Sequence, residues 1–359
     1  MIAILGIDEP VLALRVANSL DDAKRAAIWQ RAWEQRYRNR LVDRVSTRAA
    51  EPADDHAVDA QLVMCIDVRS ERLRRHAEAA GAIATYGFAG FFGVAIRHET
   101  ASGSVSAQCP VLLQPAYAIT ENDEVAPGQV GTATALRGAM VTATARPTTA
   151  FAVAEGLGVL AGADALLQTA APGVWGRARA RALPRHRGEL HVGHLQGPPT
   201  DIAYGMSLEQ RTNSAAGMLR ALGIVEHFAP VILLAGHAAQ VENNAFAAAY
   251  DCGACGGNGG HVNARIMAAI LNDPKVRRRL AAEHGITVPA TTTAIPAWHN
   301  TTTDAITIDA QDVPASHLPQ VESLREVLAQ AGAVLPAGAD GGTAGGARHH
   351  TGGGLPPGQ

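Results

Sequence analysis

Cysteine is scarce in this chain: there are four in 359 residues, Cys65, Cys109, Cys252 and Cys255. So low a count excludes a disulfide scaffold and fits reduced thiols in a cytoplasmic protein. Aromatic residues make up only 4% of the chain, so its core must be built largely from small aliphatics. Neither sign of charge dominates; the formal net charge is −3, which gives no general reason to expect a nucleic-acid partner. Long apolar runs are missing as well. The stretch YGFAGFFGVAI falls well short of the ~20 residues that a membrane helix needs. The start, MIAILGIDEPVLAL, has no basic residues and is interrupted by Asp8 and Glu9, unlike a signal peptide. The expectation is a chain that does not cross a membrane by itself, which leaves docking on a membrane protein open.

What is present is a hydrophobic content of 47%, enough for one large domain or two ordinary ones. Ser19 and Asp22 read as a helix start, and Trp29, Trp33, Tyr37 and Leu41 recur at every fourth position. Residues 20–46 are therefore expected to form an amphipathic helix with the aromatic stripe packed inward. QLVMCI (61–66) and PVILLAGH (230–237) read as buried strands, with further strands at AIATYGF and FFGVAIR. Ser70 is the expected cap of a helix from Glu71 to about Ala80, closed by Gly81. Further helices are predicted over 151–170, from Ser207 with Gln210 to Gly223, from Asp273–Pro274 to His284 before Gly285, and over 319–331. Residues 100–150 show no clear pattern. The arginine run between 177 and 187 reads as a solvated face, with a docking patch or anion path as the alternative. Alternating strands and helices argue for an α/β fold with a mainly parallel sheet flanked by helices. The expected division is a helical segment at 1–58, an α/β core at 59–334 and a disordered glycine-rich tail at 335–359.

In parallel sheets ligands gather at the carboxyl ends of strands, and both marked strands end on metal-capable residues. Cys65 closes the first, with Asp67 two residues on and Arg69 two beyond; His237 closes the second. YDCGACGGNGG then offers Cys252 and Cys255 in a glycine-rich turn, where Asn243, Asn244, Asn258 and Asn263 are available to satisfy backbone groups. Thiolates, an imidazole and a carboxylate suit tetrahedral Zn²⁺. Asp67 can close such a site as a fourth ligand or pair with Arg69, leaving a position for water, whose pKa on zinc falls to about 7. That chemistry suits attack on a small electrophile such as CO2.

CIDVR matches the C-x-D-x-R zinc motif of the β-class carbonic anhydrases. The wider context is more specific. CIDVRSERLRRHAE, GFAGFFGV, QCPVLL, AYDCGACGGNGGHVNARIMAAILND and GITVPATTTAIPAWHNTTTD together resemble the DabA family of inorganic carbon transporter subunits, over about residues 20–330. The resemblance implies a zinc core similar to that of β-carbonic anhydrases, with Cys65, Asp67, His237 and Cys252 as ligands and Arg69 as the partner of Asp67. It implies hydration of CO2 to bicarbonate, with Asp67 and Arg69 as the catalytic pair. It also implies coupling to cation flow through a membrane-embedded partner of the DabB type, similar to the antiporter-like subunits of respiratory complex I, and a peripheral place on the cytoplasmic face of the membrane. Family members are longer, so a large N-terminal portion and part of the C-terminal one are expected to be missing here. The tail after about Val334 departs from the family.

Blander readings stand beside these. Cys65 can be a buried small hydrophobe, Asp67–Arg69 a structural ion pair, and Cys252–Cys255 a redox pair. Cys255 reads as a packing residue near the metal and Cys109 as a core thiol. His261 and His299 lie near the motifs as supporting groups or a proton shuttle. The alternatives in function are a stand-alone zinc hydratase or hydrolase, and an inactive zinc-stabilised remnant.

Overall fold

A computed structural model describes residues 10–49, 58–100, 105–110, 113–122, 139, 143, 147–182, 188–193, 202–241, 244, 246–308 and 310–344. The chain divides into two compact units, Met1–His56 and Ala57–Gln359. The first contains α1 (Pro10–Ser19) and α2 (Asp22–Ala49). The expected helix is present, but its stripe is not packed: Trp29, Trp33 and Tyr37 are 60–74% exposed and Leu41 is 47% exposed. Periodicity places these residues along a ridge of the helix, but it does not say what covers them.

The second unit runs β1 (Ala60–Cys65), α3 (Val68–Ala80), β2 (Ile83–Phe88), β3 (Ile96–Thr100), β4 (Val105–Ala107), β5 (Tyr117–Asn122), α4 (Pro147–Ala170), α5 (Pro172–Ala182), β6 (Glu189–His191) and β7 (Ala203–Tyr204). It continues through α6 (Leu208–Leu222), β8 (Val231–Ala238), the single-turn α7 (Ala247–Tyr250), α8 (His261–Asn272), α9 (Pro274–His284), β9 (Thr293–Asn300), β10 (Ala305–Ile308) and α10 (Leu318–Ala344). Residues 345–359, which hold the rest of the predicted tail, lie outside the described residues, as does Asn243.

One sheet has the order β10-β9-β8-β1-β2, parallel except for the β9–β10 pair. Its central strands β1 and β8 are buried at every position, as continuous apolar strands covered on both faces should be. Alternation divides the core. Val63, Ile232 and Leu234 face α6, α8 and α9, while Leu62, Met64 and Leu233 face α3 and α10 through Leu73, Ala77, Val321, Leu324 and Leu328. The second sheet has the order β4-β3-β5-β6, with β7 also on β5. Two of its strands, β4 and β5, fall in residues 100–150, which show no clear pattern. Its strands are two to six residues long, too short for alternation to mark them.

The α/β expectation is met. The Ser207–Gln210 capping box, the Asp273 cap with Pro274, and the left-handed Gly223 and Gly285 closures are all present. Two expectations are corrected. α3 begins at Val68 with Asp67 as its cap, its carboxylate accepting from the Arg69 N–H at 2.9 Å; Ser70 sits inside the helix. In FFGVAIR the backbone turns through Phe91–Gly93, and β3 begins only at Ile96. β2 lies on one side of β1 and β8 on the other, so the crevice at their carboxyl ends is a topological switch point.

Candidate metal centre

The register of the parallel pair sets Met64 against Ala235, so the next residues bring Cys65 beside Gly236 and His237. The third contributor comes from the loop after α7. There the Cys252 N–H donates to the Asn258 carbonyl at 3.3 Å, and the Cys252 carbonyl accepts from Cys255 at 3.1 Å and Gly257 at 3.0 Å. Gly256 and Gly257 have φ of +69° and +80°, a conformation glycine adopts without strain. Asn258 braces the loop through its side-chain amide, which donates to the carbonyls of Ala107 and Cys255.

The ligand-capable atoms of Cys65, His237 and Cys252 all lie within 4.8 Å of one another, and all three residues are buried. The Sγ atoms of Cys65 and Cys252 are 3.9 Å apart. His237 is fully buried, and neither ring nitrogen has a hydrogen-bond partner. An imidazole left so is costly, and a metal ion would satisfy one of its nitrogens. Two thiols and an imidazole are the donor set that a borderline-soft divalent cation prefers, so the residues fit such an ion.

Hydrogen bonds from Cys255 and Cys65 lower the pKa of the Cys252 thiol, with His237 contributing. Cys65 and Cys255 are pushed up, first by their hydrogen bonds to Cys252 and then by burial. Cys255 is buried with Cys65 and Cys252 but does not belong to the group of three.

Asp67 is turned to Arg69. Nε of Arg69 donates to Oδ1 at 2.8 Å, and Nη2 donates to Oδ2 at 2.9 Å. Hydrogen bonding from Arg69 holds the Asp67 carboxyl down at about 2, against the effect of burial. The same guanidinium donates to the carbonyls of Tyr250 at 2.7 Å and Asp251 at 3.3 Å. Arg69 thus ties the strand end carrying Cys65 and Asp67 to the loop carrying Cys252. Asp251, whose carboxyl is raised by burial, accepts from the Ala239 N–H just beyond β8.

Not every predicted residue joins the three. Asp67 lies beside them with both oxygens engaged by Arg69. His299 is the register partner of His237, with Nε2 3.3 Å from Asp304 and burial holding its pKa down. His261 opens α8. Asn244 accepts from the Phe246 N–H at 2.8 Å, and Cys109 is buried as expected.

Gly90, which the sequence did not single out, and Asn263, expected on the Cys252 turn, shape the site from another turn. A β-carbon on Gly90 would lie 2.5 Å from the Sγ of Cys252 and 3.3 Å from that of Cys65, so only glycine lets this turn cross the thiols. Asn263 holds the turn by donating to the carbonyls of Phe91 and Val94. The glycine spacing in GFAGFFG was the available signal.

Among the described residues, no helix is long and apolar enough to cross a membrane. No solved structure matches the chain. Three curated relatives are each named probable inorganic carbon transporter subunit DabA, the first as DabA 1. The Rhodopirellula baltica protein is 35% identical over 348 residues, 88% of this chain and 38% of its own length. That of Chloroflexus aggregans is 39% identical over 331 residues, 86% and 38%. That of Novosphingobium aromaticivorans is 38% identical over 344 residues, 89% and 39%. The chain therefore spans about two-fifths of the length of these relatives. With a family model for the probable inorganic carbon transporter subunit DabA matching residues 4–337 as well, the chain belongs to the DabA family.

Proposed function

We propose that this chain carries the metal centre of an inorganic carbon transporter and hydrates CO2 to bicarbonate there, with Cys65, His237 and Cys252 holding Zn²⁺ and Asp67 available as a fourth ligand. The observation that carries the reading is the placement of a bidentate Asp67–Arg69 pair beside two buried thiols and a buried imidazole without a partner. A zinc ion so held would supply the Lewis acidity that makes water a nucleophile near neutral pH. The protein's part is the carboxylate. Paired with Arg69, Asp67 leaves a fourth position open and remains ionised, so it can accept a hydrogen bond that orients the nucleophile there; released, it can close the site. The DabA names of the relatives support inorganic carbon as the cargo. Cation flow through a membrane-embedded partner of the DabB type, with this subunit peripheral on the cytoplasmic face, would make the hydration one-way.

The test is inorganic carbon uptake by cells expressing the chain with its membrane partner, alongside the metal content of the purified chain. Arg69→Ala should reduce uptake to background while about one metal ion per chain remains bound. Uptake retained in Arg69→Ala with the metal in place would overturn the mechanism.

A further inference from the structure

Both ring nitrogens of His237 and Nδ1 of His299 lack a hydrogen-bond partner. The two histidines are fully buried, and buried polar atoms left unpaired are uncommon and costly. They are register partners on β8 and β9. Register partners of a parallel pair point to the same face of the sheet, on backbones about 4.8 Å apart, so the two rings stand side by side. What each ring offers follows from its other neighbours. Nε2 of His299 lies 3.3 Å from Oδ1 of Asp304. An ionised carboxylate only accepts, so this nitrogen carries the hydrogen. Burial favours a neutral imidazole, which leaves Nδ1 of His299 as a bare acceptor. Asp304 occupies the turn between β9 and β10 with φ of +54°, a left-handed conformation that aspartate tolerates better than most side chains. His237 is the complement. Its ligand-capable nitrogen lies within 4.8 Å of the Cys65 and Cys252 sulfurs. With that nitrogen on a metal ion, the other bears a hydrogen and needs an acceptor.

We infer that His299 is a positioning residue for the metal centre: its Nδ1 accepts the ring N–H of His237, and Asp304 fixes the tautomer of His299 that makes this possible. The three side chains form a line, Asp304–His299–His237, that keeps the free nitrogen of His237 turned to the two thiols. A metal-ligating histidine commonly donates its second N–H to an acceptor, which fixes the orientation of the ring and raises its basicity. The line also gives a partner to Nδ1 of His299 and to the second nitrogen of His237, the two orphans that a metal ion on His237 would leave. This role rests on the reading of His237 as a ligand and is independent of the reaction carried out on the metal.

The test is the zinc affinity of the purified full chain, measured by competition with a chromogenic chelator, for the parent, His299→Leu and His299→Asn. Leucine keeps the bulk of the ring but offers no acceptor. Asparagine is smaller and sets a carbonyl oxygen near the place of Nδ1. His299→Leu should lose about 10- to 100-fold in affinity, and His299→Asn should bind more tightly than His299→Leu. A packing role alone predicts the reverse order, because the smaller side chain leaves a cavity. Asp304→Ala should weaken binding too, with Asp304→Asn nearer the parent. Circular dichroism checks that each variant is folded. A second measurement needs no variant: in the nitrogen-15 NMR spectrum of the zinc-loaded parent, His299 should carry its proton on Nε2 and none on Nδ1. Affinity of His299→Leu equal to that of the parent, His299→Leu binding as well as His299→Asn or better, or a proton on Nδ1 overturns the inference and leaves the metal centre standing. A parent chain that takes up no zinc overturns the metal centre, and this role with it.

Discussion

Gly90 sets how closely three sulfurs can meet. Its missing β-carbon leaves the space above Cys252 and Cys65 that a methyl group would fill at 2.5 and 3.3 Å. Because buried atoms have no room to retreat, Gly90→Ala should push Cys252 out of reach of Cys65 and His237. Metal affinity should fall by about 10- to 100-fold, as for other changes to groups that orient ligands. Competition with a chromogenic chelator measures it, and an unchanged affinity would refute the steric account. The ligand candidates themselves are legible in the sequence. Cys65 and His237 stand at the ends of two apolar runs, and Cys252 sits in a glycine-rich turn. Gly90 was not, because what it avoids lies far away in the chain. Asp67 shows another limit. Its carboxylate looked like a metal ligand, which hid its second role as the cap of α3 and shifted the predicted helix start to Ser70.

At the scale of elements, the second sheet is tied to α8 by a buried network. His98 on β3 lies 2.9 Å from Glu121 on β5, and Arg265 on α8 donates to the other Glu121 oxygen at 2.8 Å. Arg265 also donates to the Gly188 carbonyl. Burial alone would raise the Glu121 carboxyl; the hydrogen bonds from His98 and Arg265 outweigh it and hold it at about 2, below its ordinary 4.5. A depressed carboxyl stabilises the fold above its unfolded pKa and ceases to as pH falls through the folded one. Glu121 should therefore contribute roughly 2–3 kcal/mol at neutral pH, lost between about pH 4.5 and pH 2. Denaturant unfolding across that range should show a steeper fall in stability for the parent than for Glu121→Gln, and equal slopes would contradict the assignment. This network was invisible in the sequence. Its strands are short and polar, and its two hydrogen-bonded pairs join residues 23 and 144 positions apart. Helices with capping chemistry were read well, because Ser207 with Gln210, and Asp273 with Pro274 and Gly285, signal their ends locally.

At the scale of the whole molecule, the parallel sheet explains why a cluster scattered over positions 65 to 252 assembles at all. β1 and β8 are neighbours, their carboxyl ends align, and the loop that follows β8 folds back over the gap under the hold of Arg69. The fold class was legible because apolar strands and capped helices alternate. The exposure of the α2 stripe was not, since tryptophan, tyrosine and leucine at every fourth position read the same whether covered or left open. Metal analysis of the purified chain asks whether Cys65, His237 and Cys252 hold an ion where the sheet brings them together. About one zinc per chain is expected, lost in Cys65→Ser and in His237→Ala and kept in Cys255→Ser. A folded chain without metal, or metal that depends on Cys255 and is indifferent to Cys65, would contradict it.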